Sequence, residues 1–479
     1  MRFQSQAASL MGEERKAKEV ATTEYGQTRQ YSLLAFETAG GRRMGELSDL
    51  PAGSVRAVTF SPLPGDPRLL CQADRSGYTR PFIWDPTGGE RTDLPLGDLA
   101  GDIEGLDWSL DGRRILLRQI SRAVQQLYTY DLGTGALTCL RHPGGTYGAA
   151  WFGPRGRIDA LWGDTTHLPQ LAALDGDTGA WRETILAAGE APARPLRSVS
   201  FRSSDGEEVQ GWLGLPDGAG PFPTILSVHG GPHIAIPDVY GPGGQAWLDH
   251  GYAYLTVNYR GSTTFGRAFK EKIWGDLGHW EVEDMVAARD WLLREGIARP
   301  DAILVTGGSY GGYLTLMALG TRPDLWAGGM ALVAPADFIT EYYDGTDWSK
   351  GYLTAMMGGT PEERPAQYAA SSPITYAERV TAPLLVIQGR NDLRCPPVRW
   401  SWNYPTRMMI HCRRNDLRCP PVRWSGTRRR CRGSASRSRS TGSTPAIPGW
   451  TTSCSSPSRS ACSVSRTVSC ARGGRLERP

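Results

Sequence analysis

Gly307-Gly308-Ser309-Tyr310-Gly311 has the spacing G-x-S-x-G, in which a strand turns sharply into a helix and small neighbours let a serine hydroxyl project for nucleophilic attack. In a chain with 59 glycines the pattern alone is weak, so its surroundings decide. The apolar run Ala302 to Thr306 precedes it as a strand, and Gly312 to Leu319 follows as a helix whose N-terminal amides favour a developing anion. Upstream, His229-Gly230-Gly231-Pro232 directly follows the strand Thr224 to Val228. Stabilising an oxyanion takes two backbone N–H groups aimed at one point, and glycine lets the main chain approach a substrate closely. The amides of Gly231 and Tyr310 are assigned that role, while His229 reads better as a prop for the loop than as a catalytic group. Downstream, Gly389-Arg390-Asn391-Asp392 follows the strand Leu384 to Ile387. An acid at a strand end can orient a histidine and stabilise its cation, which makes Asp392 the acid of a triad; taken by itself, Asp392 would be a turn-capping residue.

These groups need a scaffold of strands and helices. From about residue 195, short buried-type strands alternate with helices: Thr224 to Val228, Ala253 to Val257, Ile303 to Thr306, Gly329 to Val333 and Leu384 to Ile387 are strands, and Glu281 to Leu293 and Tyr313 to Leu319 are helices with one apolar face. That alternation implies βα units and a mostly parallel, doubly wound sheet. The preceding residues follow another rhythm. Phe60, Trp108 and Trp151 recur at similar intervals, as do the acidic turns at Asp85, Asp131 and Asp175, and Glu37 to Gly41 resembles the end of an earlier unit. A period of roughly 40 to 50 residues with several strands each suits propeller blades, the alternative being a β-sandwich with accidental spacing. The division expected is an unassigned segment 1–24, a partial β-propeller of three to four blades over 25–194, a hydrolase domain over 195–400, and a tail over 401–479.

The net charge of +4 conceals two unlike parts: residues 401–479 hold 16 Lys+Arg against 2 acids, which leaves 37 against 47 in residues 1–400. Cys71 and Cys139 are the only cysteines before Cys395, and compact CxxC pairs with nearby histidines are missing, so neither a disulfide framework nor a zinc site is read. No apolar run approaches the ~18 residues of a membrane span, and no secretory signal opens the chain; a soluble, cytoplasmic protein is expected.

Taken together, His229-Gly230-Gly231-Pro232, Asn258-Tyr259-Arg260-Gly261-Ser262, Trp274-Gly275-Asp276, Gly307 to Tyr313 and Gly389 to Asp392 resemble, in order, the motifs of the prolyl oligopeptidase family, above all its acylaminoacyl-peptidase and dipeptidyl-peptidase-like members. The resemblance runs over about residues 25 to 395. It implies an α/β-hydrolase domain preceded by a propeller that filters substrates by size. It also implies hydrolysis of short or N-acylated peptides by a serine, through an acyl-enzyme, with no metal and no organic cofactor. Peptide is the expected partner, nucleic acid and membrane are not, and a homo-oligomer is left open. An esterase on the same fold and a catalytically dead peptide-binding propeller are the alternatives.

The chain departs from that pattern in three ways. Fewer blades are visible than the seven or eight the family uses, so that a half propeller would leave strand edges unpaired. The triad histidine, expected last in the order serine, acid, histidine, is not found: only His411 follows Asp392, too soon for a helix, a strand and two turns. Finally, Arg390 to Ser401 recurs identically as Arg414 to Ser425, and residues 426–479 hold 13 Ser and 11 Arg with Glu477 as sole acid. A disordered arm for nucleic acid is a weak account of this tail, because Trp450 is the sole aromatic among the arginines of residues 426–479. A frameshift explains it better. The family-like peptide Glu-Val-His-Trp-Phe-Asp-Ala-Gly-His, written GAG GTC CAC TGG TTC GAC GCC GGC CAT and read from its second base, gives the residues Arg439 to Ile447. The chain as written is therefore expected to lack a working triad and to carry a disordered Arg/Ser-rich tail.

Overall fold

A computed structural model of the chain describes residues 2–9, 29–38, 40–389, 392, 395 and 408–412. The second copy of the repeat, the Arg/Ser-rich tail and the disorder expected of it lie outside these residues.

The N-terminal part is built from antiparallel sheets. Strands β1 (Arg2–Ser9), β2 (Arg29–Phe36) and β3 (Arg43–Leu47) form the first, in that order. Three four-stranded meanders follow: β4 (Val55–Phe60) to β7 (Arg91–Asp93), β8 (Asp102–Trp108) to β11 (Leu137–Cys139), and β12 (Thr146–Phe152) to β15 (Trp181–Leu186). One turn closes the last hairpin of all four sheets. Gly41, Gly89, Gly135 and Gly179, each at positive φ, donate to the carbonyls of Glu37, Asp85, Asp131 and Asp175. In the three copies that begin with aspartate, the Asp Oδ1 also accepts the amide of Thr87, Thr134 or Thr178. The hairpin of β2 and β3 thus stands where the third and fourth strands stand in the other sheets.

Neighbouring sheets share apolar layers, as the two-residue period of a strand requires. Leu69 packs with Leu33 of the first sheet, whereas adjacent Leu70 packs with Ile103 of the third. Leu117 likewise faces back towards Ile83, and Leu116 faces forward to Ile158. The sheets therefore stack as successive propeller blades do. One sequence anchor needs correcting: Phe60 and Trp108 each close a β-ladder, opposite Leu69 and Ile115, and the equivalent residue in the fourth sheet is Phe152, opposite Ile158. Trp151 instead points outward and is 39% exposed.

The remainder is an eight-stranded sheet in the order β16-β17-β19-β18-β20-β21-β22-β23. β16 (Leu196–Arg202) and β17 (Glu208–Gly214) are antiparallel additions. β18 (Phe222–Val228), β19 (Ala253–Asn258), β20 (Ala298–Gly308), β21 (Gly328–Leu332), β22 (Leu384–Gly389) and β23 (Met408–Cys412) run parallel. Helices Trp280–Arg294 and Tyr310–Thr321 pack into one large core with these strands. The second helix starts at Tyr310, earlier than the sequence suggested. Its paired glycines, Gly311 and Gly312, are poor helix formers in water, but both are buried against neighbouring strands, where a side chain would not fit.

Arg260 and Asp284 tie the segment just after β19 to helix Trp280–Arg294. The guanidinium and the main-chain amide of Arg260 both donate to the Asp284 carboxylate, Ser203 Oγ donates to it at 2.7 Å, and both charged side chains are buried. A second junction joins the blades to the hydrolase. The amides of Arg122 and Ala123, at the tip of the β9 (Arg114–Ser121) and β10 (Val124–Asp131) hairpin, donate to the carbonyl and hydroxyl of Thr264. All three residues are at positive φ, a strained state for side-chain-bearing residues, and most so for a β-branched threonine.

Candidate active site

Strand β20 ends at Gly308, and Ser309 follows with φ 56° and ψ −121°. Its amide donates to the Leu332 carbonyl at 2.9 Å, its own carbonyl accepts from Tyr313, and the helix begins at the next residue. The glycines of the motif have a steric reason. A Cβ on Gly307 would lie 2.5 Å from the main chain of Gly311, and one on Gly311 would collide with the Val228 carbonyl. The turn is thus pressed against β18, and Ser309 is left at the N-terminus of a 12-residue helix whose dipole favours negative charge there.

The loop after β18 lies against this turn. A Cβ placed on Gly230 would lie 3.3 Å from Ser309 Cβ and 3.8 Å from the Tyr310 amide nitrogen. Tyr310 is the first residue of its helix, so its amide has no carbonyl to meet one turn back. Gly231, one residue further along the loop, has φ +129°, which favours glycine.

His229 is buried and stacks on Tyr259. Its Nδ1 lies 2.7 Å from the Gly230 carbonyl and its Nε2 2.9 Å from Ser262 Oγ. Burial lowers its pKa to about 4, so it is neutral, and the Gly230 carbonyl favours the proton on Nδ1. His233 is fixed in the same way: Nδ1 faces the Gly261 carbonyl at 2.8 Å, Nε2 accepts from Trp274, and burial brings its pKa to about 4. Both rings brace the loop with both nitrogens engaged. Among the described residues, Ser309 Oγ has no histidine partner.

Behind the turn stands a residue that sequence reading missed. Tyr310 OH donates to Glu281 Oε1 at 2.6 Å, and the amide of Gly278 donates to Glu281 Oε2 at 3.0 Å. The carboxyl is fully buried, and burial raises its pKa to about 8. An acidic residue in the first turn of a helix ordinarily faces water, so only an acid beside the apolar Trp280 and Val282 hinted otherwise.

Asp392 follows β22. Its amide donates to the Gly389 carbonyl at 3.3 Å, and its Oδ1 accepts the Cys395 amide at 3.0 Å. Gly308 of β20 pairs with Leu332 of β21, which pairs with Ile387 of β22. Ser309 and Asp392 therefore leave the same edge of the sheet two strands apart, about 10 Å at ordinary strand spacing. His411 sits within β23 opposite Gln388, inside the ladder and not on a loop beyond it.

A parallel sheet with a serine on a strained strand-to-helix turn, beside a glycine loop from the next strand, defines an α/β-hydrolase site. The chain matches the prolyl oligopeptidase family over residues 243–401. It is 35% identical over 389 residues to dipeptidyl aminopeptidase BIII of Pseudoxanthomonas mexicana, covering 76% of this chain and 48% of that protein. It is 31% identical over 182 residues to acylamino-acid-releasing enzyme 1 of Oryza sativa subsp. japonica, covering 36% of this chain and 24% of that enzyme. The chain thus spans about half the length, or less, of these curated relatives. Among solved structures, puromycin hydrolase superposes with a TM-score of 0.68 at 24% identity, covering 81% of this chain and 64% of that one. An acylaminoacyl peptidase in complex with Z-Gly-Gly-Phe-chloromethyl ketone superposes with a TM-score of 0.63 at 22% identity, covering 77% of this chain and 58% of that one. Both have the same fold. No helix among the described residues is long and apolar enough to cross a membrane.

Proposed function

We propose that this chain carries the machinery of a cytoplasmic serine peptidase acting on short or N-acylated peptides, with blades over 25–194 and a hydrolase domain over 195–400. Ser309 Oγ attacks the scissile carbonyl carbon, and the resulting oxyanion is held by the amides of Gly231 and Tyr310. The chain as written lacks the base; with the reading frame of the tail restored, a histidine encoded there takes the serine proton, Asp392 orients that histidine, and the proton passes to the departing amine as the acyl-enzyme forms. Water then releases the acyl group by the same steps. The observation that carries this reading is the position of Ser309, strained at φ 56° with Gly230 pressed beside it. A chromogenic dipeptide anilide and an acyl-amino-acid anilide, compared with a p-nitrophenyl ester on the protein with its reading frame restored, test it. Faster turnover of the ester with neither anilide cleaved would favour an esterase.

One observation supports a second reading, a peptide-binding protein without catalysis: His229 and His233 have both ring nitrogens engaged in bracing the loop. Peptide binding without turnover of any of the three substrates would favour it.

A further inference from the structure

A cavity of about 350 Å³ lies between the second and third sheets and the hydrolase segment that follows β19. Its charged wall comprises Arg56, Asp74, Asp102 and Glu104 from the sheets and Arg267 and Lys270 from the hydrolase. The acids are engaged within the protein. Asp74 Oδ1 accepts the amide of Ser54 at 2.7 Å, Asp102 Oδ1 accepts that of Thr79 at 2.7 Å, and Glu104 is paired with Arg118. Arg267 is engaged too, donating to the carbonyls of Ala52 and Asp74 with Glu271 at 3.8 Å.

Arg56 and Lys270 differ. Arg56 stacks over the Tyr31 ring at 5.1 Å and Lys270 over Trp274 at 5.9 Å, and among the described residues neither has a carboxylate within 4.0 Å. Two cations without a counter-ion in one cavity create a place for an anion, with the planar guanidinium suited to a carboxylate in particular. Burial holds the Asp102 carboxyl above its usual range, which lessens its repulsion of such a group. Gln72 Oε1, buried without a hydrogen-bond partner, adds an acceptor suited to a peptide N–H. The cavity also borders the catalytic loop: the amide of Thr263, on its wall, donates to the Ile234 carbonyl at 3.2 Å, a few residues after Gly230 and Gly231.

We propose that Arg56 and Lys270 form a subsite for a free carboxylate of a short peptide, whether its C-terminus or an acidic side chain. The subsite deepens the peptidase reading and rests on it for the identity of the ligand. Its test reads binding and not cleavage, so a serine that proves inert leaves the result interpretable. Calorimetry on the full chain would compare Ala-Ala, N-acetyl-Ala-Ala, Ala-Ala-amide and N-acetyl-Glu-amide. The first two are expected to bind alike and the dipeptide amide about tenfold or more weakly, as loss of a charge-assisted contact predicts. Binding of N-acetyl-Glu-amide extends the site to side chains, and its failure restricts the site to C-termini. Lys270→Ala and Arg56→Ala should each weaken Ala-Ala by a similar factor while leaving the dipeptide amide unchanged. Equal binding of free and amidated dipeptide, or no binding of either, overturns the proposal.

Discussion

The phenol of Tyr310 reaches past the core of the hydrolase to donate a 2.6 Å hydrogen bond to Glu281, a residue 29 positions earlier in the chain. The residue after Ser309 is thereby anchored to helix Trp280–Arg294 as well as to its own helix. The anchor has a pH signature. Burial raises the Glu281 pKa from 4.5 to about 8, so the folded chain holds this proton where the unfolded chain has released it. The group's contribution to stability is full below 4.5 and declines as pH rises towards about 8. Across that interval wild type should lose up to about 1.4 kcal/mol per pH unit that Glu281→Gln does not lose. Denaturant titrations of both proteins at several pH values check this, and parallel stability curves would show that the carboxyl titrates normally.

The Arg260 and Asp284 pair should behave as a buried ion pair. Arg260→Ala leaves the Asp284 carboxylate buried without its cation, and a loss of about 3–5 kcal/mol is expected. The double change Arg260→Met with Asp284→Leu should be far milder, since both desolvation costs disappear together. A double-mutant cycle with no coupling between the two sites would contradict the network.

Gly311→Ala should destabilise by about 1–3 kcal/mol, because the added methyl meets the Val228 carbonyl and the His229 main chain. Gly144→Ala is the control: nothing lies within 4 Å of its added methyl, and a change within about ±0.5 kcal/mol is expected. Similar melting behaviour of the two variants would show that β18 does not confine the turn.

Local chemistry made much of this legible. The Asp-x-x-Thr-Gly turns recur because Asp131 and Asp175 each accept the amide of a threonine three residues on, and that geometry is written within five residues. Strand patterns at Thr224 to Val228 and Leu384 to Ile387 were legible because both strands are short apolar runs inside a parallel sheet. Trp151 misled for a local reason of another kind: adjacent residues of a strand face opposite sides, so spacing counted along the chain does not separate Trp151 from Phe152, the residue that pairs with Ile158. The Glu281 contact was not legible, since it joins two helices through the core and leaves no periodic trace. Nor did the charge pattern of Arg56 and Lys270 point to a cavity, which exists only where sheets and hydrolase meet.

The frameshift has its own test. The bases across residues 434–447 should encode, in another frame, a peptide ending in the histidine that no described residue supplies. A GC-rich gene is already suggested by 48 arginines against five lysines. If those bases encode no such peptide in either alternative frame, the explanation fails and the tail needs another.

The most direct measurement is fluorophosphonate labelling of the protein with its reading frame restored and one copy of the 24-residue repeat removed, read by peptide mass. The label is expected on the peptide bearing Ser309, to vanish in Ser309→Ala, and to form orders of magnitude more slowly in Asp392→Asn. Label that persists in Ser309→Ala, or that lies on another peptide, would contradict the assignment of Ser309 as the nucleophile.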